Sequence, residues 1–201
     1  MALQPWIWIV LAYFIAAIPV GLLIGWARGI DLREIGSGNI GATNAMRALG
    51  KSWGFVVLVL DVLKAGLPVW LAREWGELET LPQGETWLAG VALAAVCGHI
   101  FPVYLRFRGG KGVACALGTL LVLAPASAAL AFVVYAIVLA RTRISALGSL
   151  AGVSSGSLYL LLTDAPAPYK AFVVALSSII WWRHRANLRD LRARPTPEVE
   201  D

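Results

Sequence analysis

Residues 112–140 read GVACALGTLLVLAPASAALAFVVYAIVLA, a run of 29 positions without a charge and with Pro125 near its middle. Basic residues stand at both of its ends: Arg106, Arg108 and Lys111 before it, Arg141 and Arg143 after it. Lys and Arg accumulate on the cytoplasmic side of membrane proteins, so both ends belong on one face. At ~1.5 Å per residue the run is too short for two full crossings of a ~30 Å hydrocarbon core. Proline lacks an N–H and clashes with the preceding turn. The stretch therefore predicts two short helices, out and back, hinged near Pro125.

Further apolar runs lie outward from this pair, at about 6–26, 53–72, 86–104, 145–163 and 169–182. With the split run they make seven membrane helices, some short or tilted, and no strand pattern. The fold class is thus all-α, polytopic and membrane-embedded, a single domain over 1–201. The chain is 59% hydrophobic and 14% charged, against about 25% charged for a soluble domain. Its mean hydropathy is +0.73. No basic segment precedes the apolar start at Trp6, so the first helix is expected to stay rather than be cleaved. Cys97 and Cys115 have no companion at metal spacing and read as packing residues.

With the N-terminus outside and the C-terminus cytoplasmic, the inner side carries Arg28, Arg33, Arg47, Lys51, Arg106, Arg108, Lys111, Arg141, Arg143, Arg183, Arg185, Arg189, Arg192 and Arg194, which is 14 of the 17 basic residues. Arg73 and Lys170 fall outside, with Glu74, Glu77, Glu79, Glu85 and Asp164. Net charge +5 is then topological, and no nucleic-acid partner is expected. Asp61 and Lys64, spaced i, i+3, are intramembrane charges that read as a mutual pair.

The inner loops carry the chemistry. The first is GSGNIGATNAMR, residues 36–47. Glycines let successive N–H groups converge, and Ser37, Asn39, Thr43 and Asn44 add hydrogen-bonding groups. With Gly38 and Gly41 they form an anion nest that Arg47 closes with its planar fork. Gly36, Gly38 and Gly41 match G-x-G-x-x-G, but the βαβ unit which that fingerprint requires is missing, so no dinucleotide cofactor is expected. The second loop, GHIFPVYLRFRGGKGVA at 98–114, sets Lys111 among Gly109, Gly110 and Gly112, a mobile point charge suited to phosphate. Leu105 and Gly112 stand where a nucleotide-binding P-loop needs glycine and Ser/Thr, which excludes that reading. His99 reads as a core or loop-bracing residue. Ser145 and Ser149 share a helix face, for substrate contact or for close packing. In RHRANLRDL, 183–191, His184 and Asn187 share a face if the helix continues.

The order GSGNIGATNAMR, GHIFPVYLRFRGGKGVA, RISALGS and RHRANLRDL resembles the bacterial acyl-phosphate:glycerol-3-phosphate acyltransferases, the PlsY family, over nearly the whole chain. Departures are small: Arg108 where lysine is common, Cys115 where threonine is common, and Gly148 where some relatives have serine. The resemblance implies acyl phosphate as donor, glycerol 3-phosphate as acceptor, and lysophosphatidic acid with inorganic phosphate as products. It implies no cofactor or metal, and a cytoplasmic active face in the bacterial inner membrane. It also makes the enzyme that forms acyl phosphate a candidate partner of a monomeric chain. The H-x-x-x-x-D signature of other glycerophosphate acyltransferases is absent: Tyr104 lies five after His99, and Arg189 five after His184.

On this reading Ser37, Gly38, Asn39, Gly41, Thr43, Asn44, Arg47, Gly109, Gly110, Lys111 and Gly112 hold two phosphates, and His184 and Asn187 orient the glycerol. The proton acceptor is either His184 or the donor's own phosphate. The rival class is a transporter of a phosphorylated metabolite, which needs polar residues continuing to the outer face. A cytidylyl-dependent phosphatidyltransferase would need an Asp-rich metal helix, and Asp61 stands alone.

Overall fold

The computed structural model describes residues 4–193, without the Arg192 side chain, and is all-helical over that range. Arg194, counted above among the inner charges, lies outside the described residues. Ten α-helices follow in order: α1 Pro5–Ala17, α2 Val20–Ala27, α3 Ala42–Leu49, α4 Lys51–Glu74, α5 Gly84–Ile100, α6 Val113–Leu123, α7 Pro125–Thr142, α8 Ser145–Leu162, α9 Ala167–Arg183 and α10 Arg185–Arg192.

Five stretches are long and apolar enough to cross a membrane: Pro5–Ala27, Lys51–Glu74, Gly84–Leu105, Pro125–Thr142 and Ser145–Leu162. The break at Pro125 falls where the sequence places it. Only α6 is short, at 11 residues, whereas α7 has 18. The first run is not one helix: it breaks at Ile18–Pro19, since proline offers no N–H to continue the ladder. The Ile18 carbonyl at this break accepts both the Val20 N–H at 2.9 Å and the Lys64 ammonium at 2.7 Å. Lys64 in turn lies 2.9 Å from Asp61, and both side chains are buried, so the expected pair is present and anchors α4 to the break.

Helices α1, α4, α5, α6 and α9 supply most of the core, and the tightest contacts use small residues. A Cβ on Gly66 would sit 2.8 Å from the Gly118 carbonyl, so α4 and α6 touch backbone to backbone. Gly152 and Gly156 of α8 do the same against Ala131 and Ser127 of α7, where Ser127 Oγ donates to the Gly156 carbonyl at 2.7 Å. Large apolar side chains such as Phe55, Leu63, Ile137 and Leu162 are exposed, the reverse of a water-soluble domain and the surface that lipid requires. Residues of α3, α4, α6, α7, α8 and α10 together line a cavity.

Candidate active site

The cavity encloses about 640 Å³ and is amphipathic. One end is lined by Leu58 of α4, Leu117 and Leu120 of α6, Phe132 and Leu139 of α7, and Val153 of α8. Phe132 is half exposed as well as lining the cavity. The other end collects the polar groups of four separate segments: Ser37, Asn39, Thr43 and Arg47; Lys111; Ser145 and Ser149; His184 and Asn187.

The first segment is held by Asn44, which is 2% exposed. Its Nδ2 donates to the Leu32 and Ile35 carbonyls, both at 2.9 Å, and its Oδ1 accepts the Ser37 N–H at 3.0 Å. Gly36 and Gly38 take positive φ (59° and 65°), which wraps the turn around this amide. Asn39 Oδ1 accepts the Gly41 N–H at 2.9 Å, just before α3 begins. Half of the expected loop is therefore helix: α3 places Thr43 and Arg47, one turn apart, on the cavity side. The Ser37 hydroxyl stays free to meet a ligand among the described residues. Thr43 Oγ1 lies 3.1 Å from Ser145 Oγ, which lies 3.4 Å from the Tyr135 hydroxyl, a row of hydroxyls joining α3, α8 and α7.

The second segment is fixed from two sides. Gly109 and Gly110 donate their N–H groups to the Ile100 and His99 carbonyls at 3.2 and 3.1 Å. Arg183 donates to the Gly109 and Gly110 carbonyls at 2.8 and 3.2 Å. Lys111 then extends into the cavity and donates to Asn187 Oδ1. Burial lowers the Lys111 pKa from its ordinary value, and the Arg183 and Arg47 cations lower it further while Asp190 opposes them. A compact cation raised in energy by its surroundings is poised to be stabilised by an arriving phosphate.

His184 joins α9 to α10 and is 2% exposed. Its Nδ1 lies 2.8 Å from the Ile180 carbonyl, which can only accept, so the proton belongs on Nδ1 and Nε2 is left as an acceptor. Burial lowers its pKa; the Ile180 bond opposes this, and Lys111 and Arg183 lower it again. These influences keep the imidazole neutral, with Nε2 able to accept a hydrogen bond.

Twelve of the residues singled out in the sequence line the cavity: Ser37, Asn39, Gly41, Thr43, Asn44, Arg47, Lys111, Gly112, Ser145, Ser149, His184 and Asn187. Gly38, Gly109 and Gly110 do not. They shape the two turns, and the Asn44 amide hydrogen-bonds its own turn while lining the cavity. Asp61, His99, Tyr135, Arg143 and Asp190 line the cavity unforeseen as site residues. Tyr135 carried a signal, a phenol within an apolar run. Among the described residues no group of three His, Cys, Asp or Glu side chains is placed to hold a metal ion.

A cavity lined by apolar side chains together with cationic and hydroxyl groups fits a ligand with an apolar chain and an anionic head. The family model for glycerol-3-phosphate acyltransferase matches residues 6–194. Among curated relatives, the glycerol-3-phosphate acyltransferase of Myxococcus xanthus is 46% identical over 187 residues, covering 92% of this chain and 95% of the relative. That of Thermus thermophilus is 43% identical over 184 residues, covering 92% and 89%. Among solved structures, PlsY (YgiH), described as an integral membrane glycerol 3-phosphate acyltransferase, matches in its glycerol 3-phosphate form with TM-score 0.87 and 34% identity, covering 94% of this chain and 92% of that one. Its lysophosphatidic acid form matches with TM-score 0.85. The chain belongs to the glycerol-3-phosphate acyltransferase family and is a multi-pass membrane acyltransferase.

Proposed function

We propose that the chain transfers the acyl group of an acyl phosphate to the sn-1 hydroxyl of glycerol 3-phosphate, releasing lysophosphatidic acid and inorganic phosphate. The observation that carries this reading is one cavity with two cationic turns at its polar end and an apolar slot at the other. Both substrates bring a phosphate, and one brings a chain that lies in lipid.

In this reading Arg47, Lys111, Ser37, Asn39, Thr43 and the Gly41 and Gly112 backbone hold the two phosphates, with Ser145 and Ser149 at the edge of the slot. Asn187 and His184 orient the glycerol. The sn-1 oxygen attacks the acyl carbonyl, the C–O bond to phosphate breaks, and the hydroxyl proton passes to His184 Nε2 or to the departing phosphate. An acyl phosphate already has a good leaving group, so positioning and charge stabilisation drive direct transfer without a covalent acyl-enzyme. The chain works as a single-domain monomer of seven membrane helices, with α6 and α9 as the two beyond the five long spans. Its N-terminus is outside, and its C-terminus and site face the cytoplasm at the inner membrane, where the enzyme making acyl phosphate delivers its product.

The test is product analysis with purified protein, a synthetic acyl phosphate and labelled glycerol 3-phosphate. Labelled lysophosphatidic acid is expected from acyl phosphate but not from acyl thioesters, and Arg47→Ala abolishes it. No lysolipid from the wild type, or an acyl group trapped on Ser37 or Ser149, overturns the reading.

A further inference from the structure

His99 is buried at the end of α5, 5% exposed, and faces the cavity beside Asp61. Its Nδ1 has no hydrogen-bond partner among the described residues; the nearest acceptor is Asp61 Oδ1 at 3.6 Å. Asp61 is in turn held by Lys64 at 2.9 Å, and Lys64 by the Ile18 carbonyl at 2.7 Å. On its far side the Nε2 edge of the imidazole abuts Gly110 in the turn that carries Lys111. The three atoms nearest to a Cβ added at Gly110 are all in the His99 ring: Nε2, in overlap, then Cε1 at 2.8 Å and Cδ2 at 3.0 Å. Gly110 is not among the positive-φ residues, so it is the ring, and not the backbone, that demands glycine there.

We propose that His99 is a positioning residue for Lys111: steered by the Asp61–Lys64 pair, its imidazole is the seat that fixes how far Lys111 reaches into the cavity. The inference rests on the reading that Lys111 binds substrate phosphate. A continuous row then runs from the break between α1 and α2, through Lys64, Asp61 and His99, to the phosphate-binding turn. Its Nδ1 offers Asp61 a direction in which to orient the ring, which a phenyl group in the same place lacks.

The test compares His99→Ala, Gly110→Ala and the double variant in the purified full-length protein. With acyl phosphate saturating, His99→Ala raises KM for glycerol 3-phosphate about ten- to hundredfold, as misplacement of a binding group does, while kcat stays within roughly threefold. Gly110→Ala raises KM as well, because its methyl group displaces the ring. The double variant is no worse than His99→Ala alone, since the methyl group enters the vacated space, and this rescue is not expected of a general loss of stability. Wild-type KM in His99→Ala, a loss confined to kcat, or losses that multiply in the double variant would each overturn the proposal. Calorimetric titration with glycerol 3-phosphate gives the same comparison without turnover. Absence of lysolipid from the wild type would sink the functional reading, and unchanged binding by His99→Ala would sink this one.

Discussion

Replacing Lys111 by Met removes the ammonium while keeping most of the stem. A phosphate oxygen about 4 Å from this charge gains ~4 kcal/mol at the effective dielectric of a half-buried site. Part of that is offset, because the substitution also relieves repulsion from Arg183 and Arg47 and the desolvation of Lys111, the influences that lower its pKa. A net loss of ~3–4 kcal/mol corresponds to about a hundred- to thousandfold fall in kcat/KM for glycerol 3-phosphate. Asn187 loses a hydrogen bond but keeps access to the cavity, so the fold is retained. A second signature is in the pH profile. His184 is held below its ordinary pKa by burial and in part by Lys111. Without that cation its pKa rises, more imidazole is protonated at a given acidic pH, and the acid limb of kcat/KM moves to higher pH if His184 accepts the proton. The assay is lysolipid formation in a series of buffers, with circular dichroism as the control for folding. A loss of less than tenfold would refute Lys111 as a phosphate ligand; an unmoved acid limb would assign the proton to the donor phosphate.

Further outcomes follow from the packing and the topology. Gly118→Leu drives a side chain into the Val62 carbonyl of α4 and is expected to cost ~1–3 kcal/mol, read as a lower unfolding temperature in detergent; an unchanged temperature would contradict the close approach of α4 and α6. Asp61→Leu alone strands the buried Lys64 ammonium and costs about 3–5 kcal/mol, whereas Asp61→Leu combined with Lys64→Leu costs less than the sum of the single changes. Strict additivity in that cycle would deny the pair. In a background lacking Cys97 and Cys115, cysteines placed at the exposed Arg33 and Arg108 react with an impermeant thiol reagent from the same membrane face, and a cysteine at Glu77 reacts from the other. Labelling of Arg33→Cys and Arg108→Cys from opposite faces would leave no common pocket.

Much of this architecture was written in local pattern. Pro125 marks the break between α6 and α7 because its missing N–H acts wherever it stands, and the Asp61–Lys64 spacing makes a pair on any helix. Composition alone marked the two glycine-rich turns as candidate anion sites, and both turns contribute residues to the cavity. What stayed hidden depends on partners distant in the chain. That Asn44 serves its own turn follows from where residues 32–37 fold back, and that Gly110 must be glycine follows from a ring eleven residues earlier. The break at Pro19 went unread because its neighbours are uniformly apolar; Lys64 binds the Ile18 carbonyl there from 46 positions away. Tyr135 and Asp190 enter the cavity only once α7 and α10 are set in space, and no periodicity within either helix announces that.

The clamp on the Lys111 turn comes from Arg183, and the hydrogen-bond partner of Lys111, Asn187, lies four residues further on, so the groups that complete the pocket follow its other walls in the chain. A chain terminated after α8 would insert all five long spans and both glycine turns yet remain catalytically silent. Truncation within this end is expected to remove activity before it removes membrane integration.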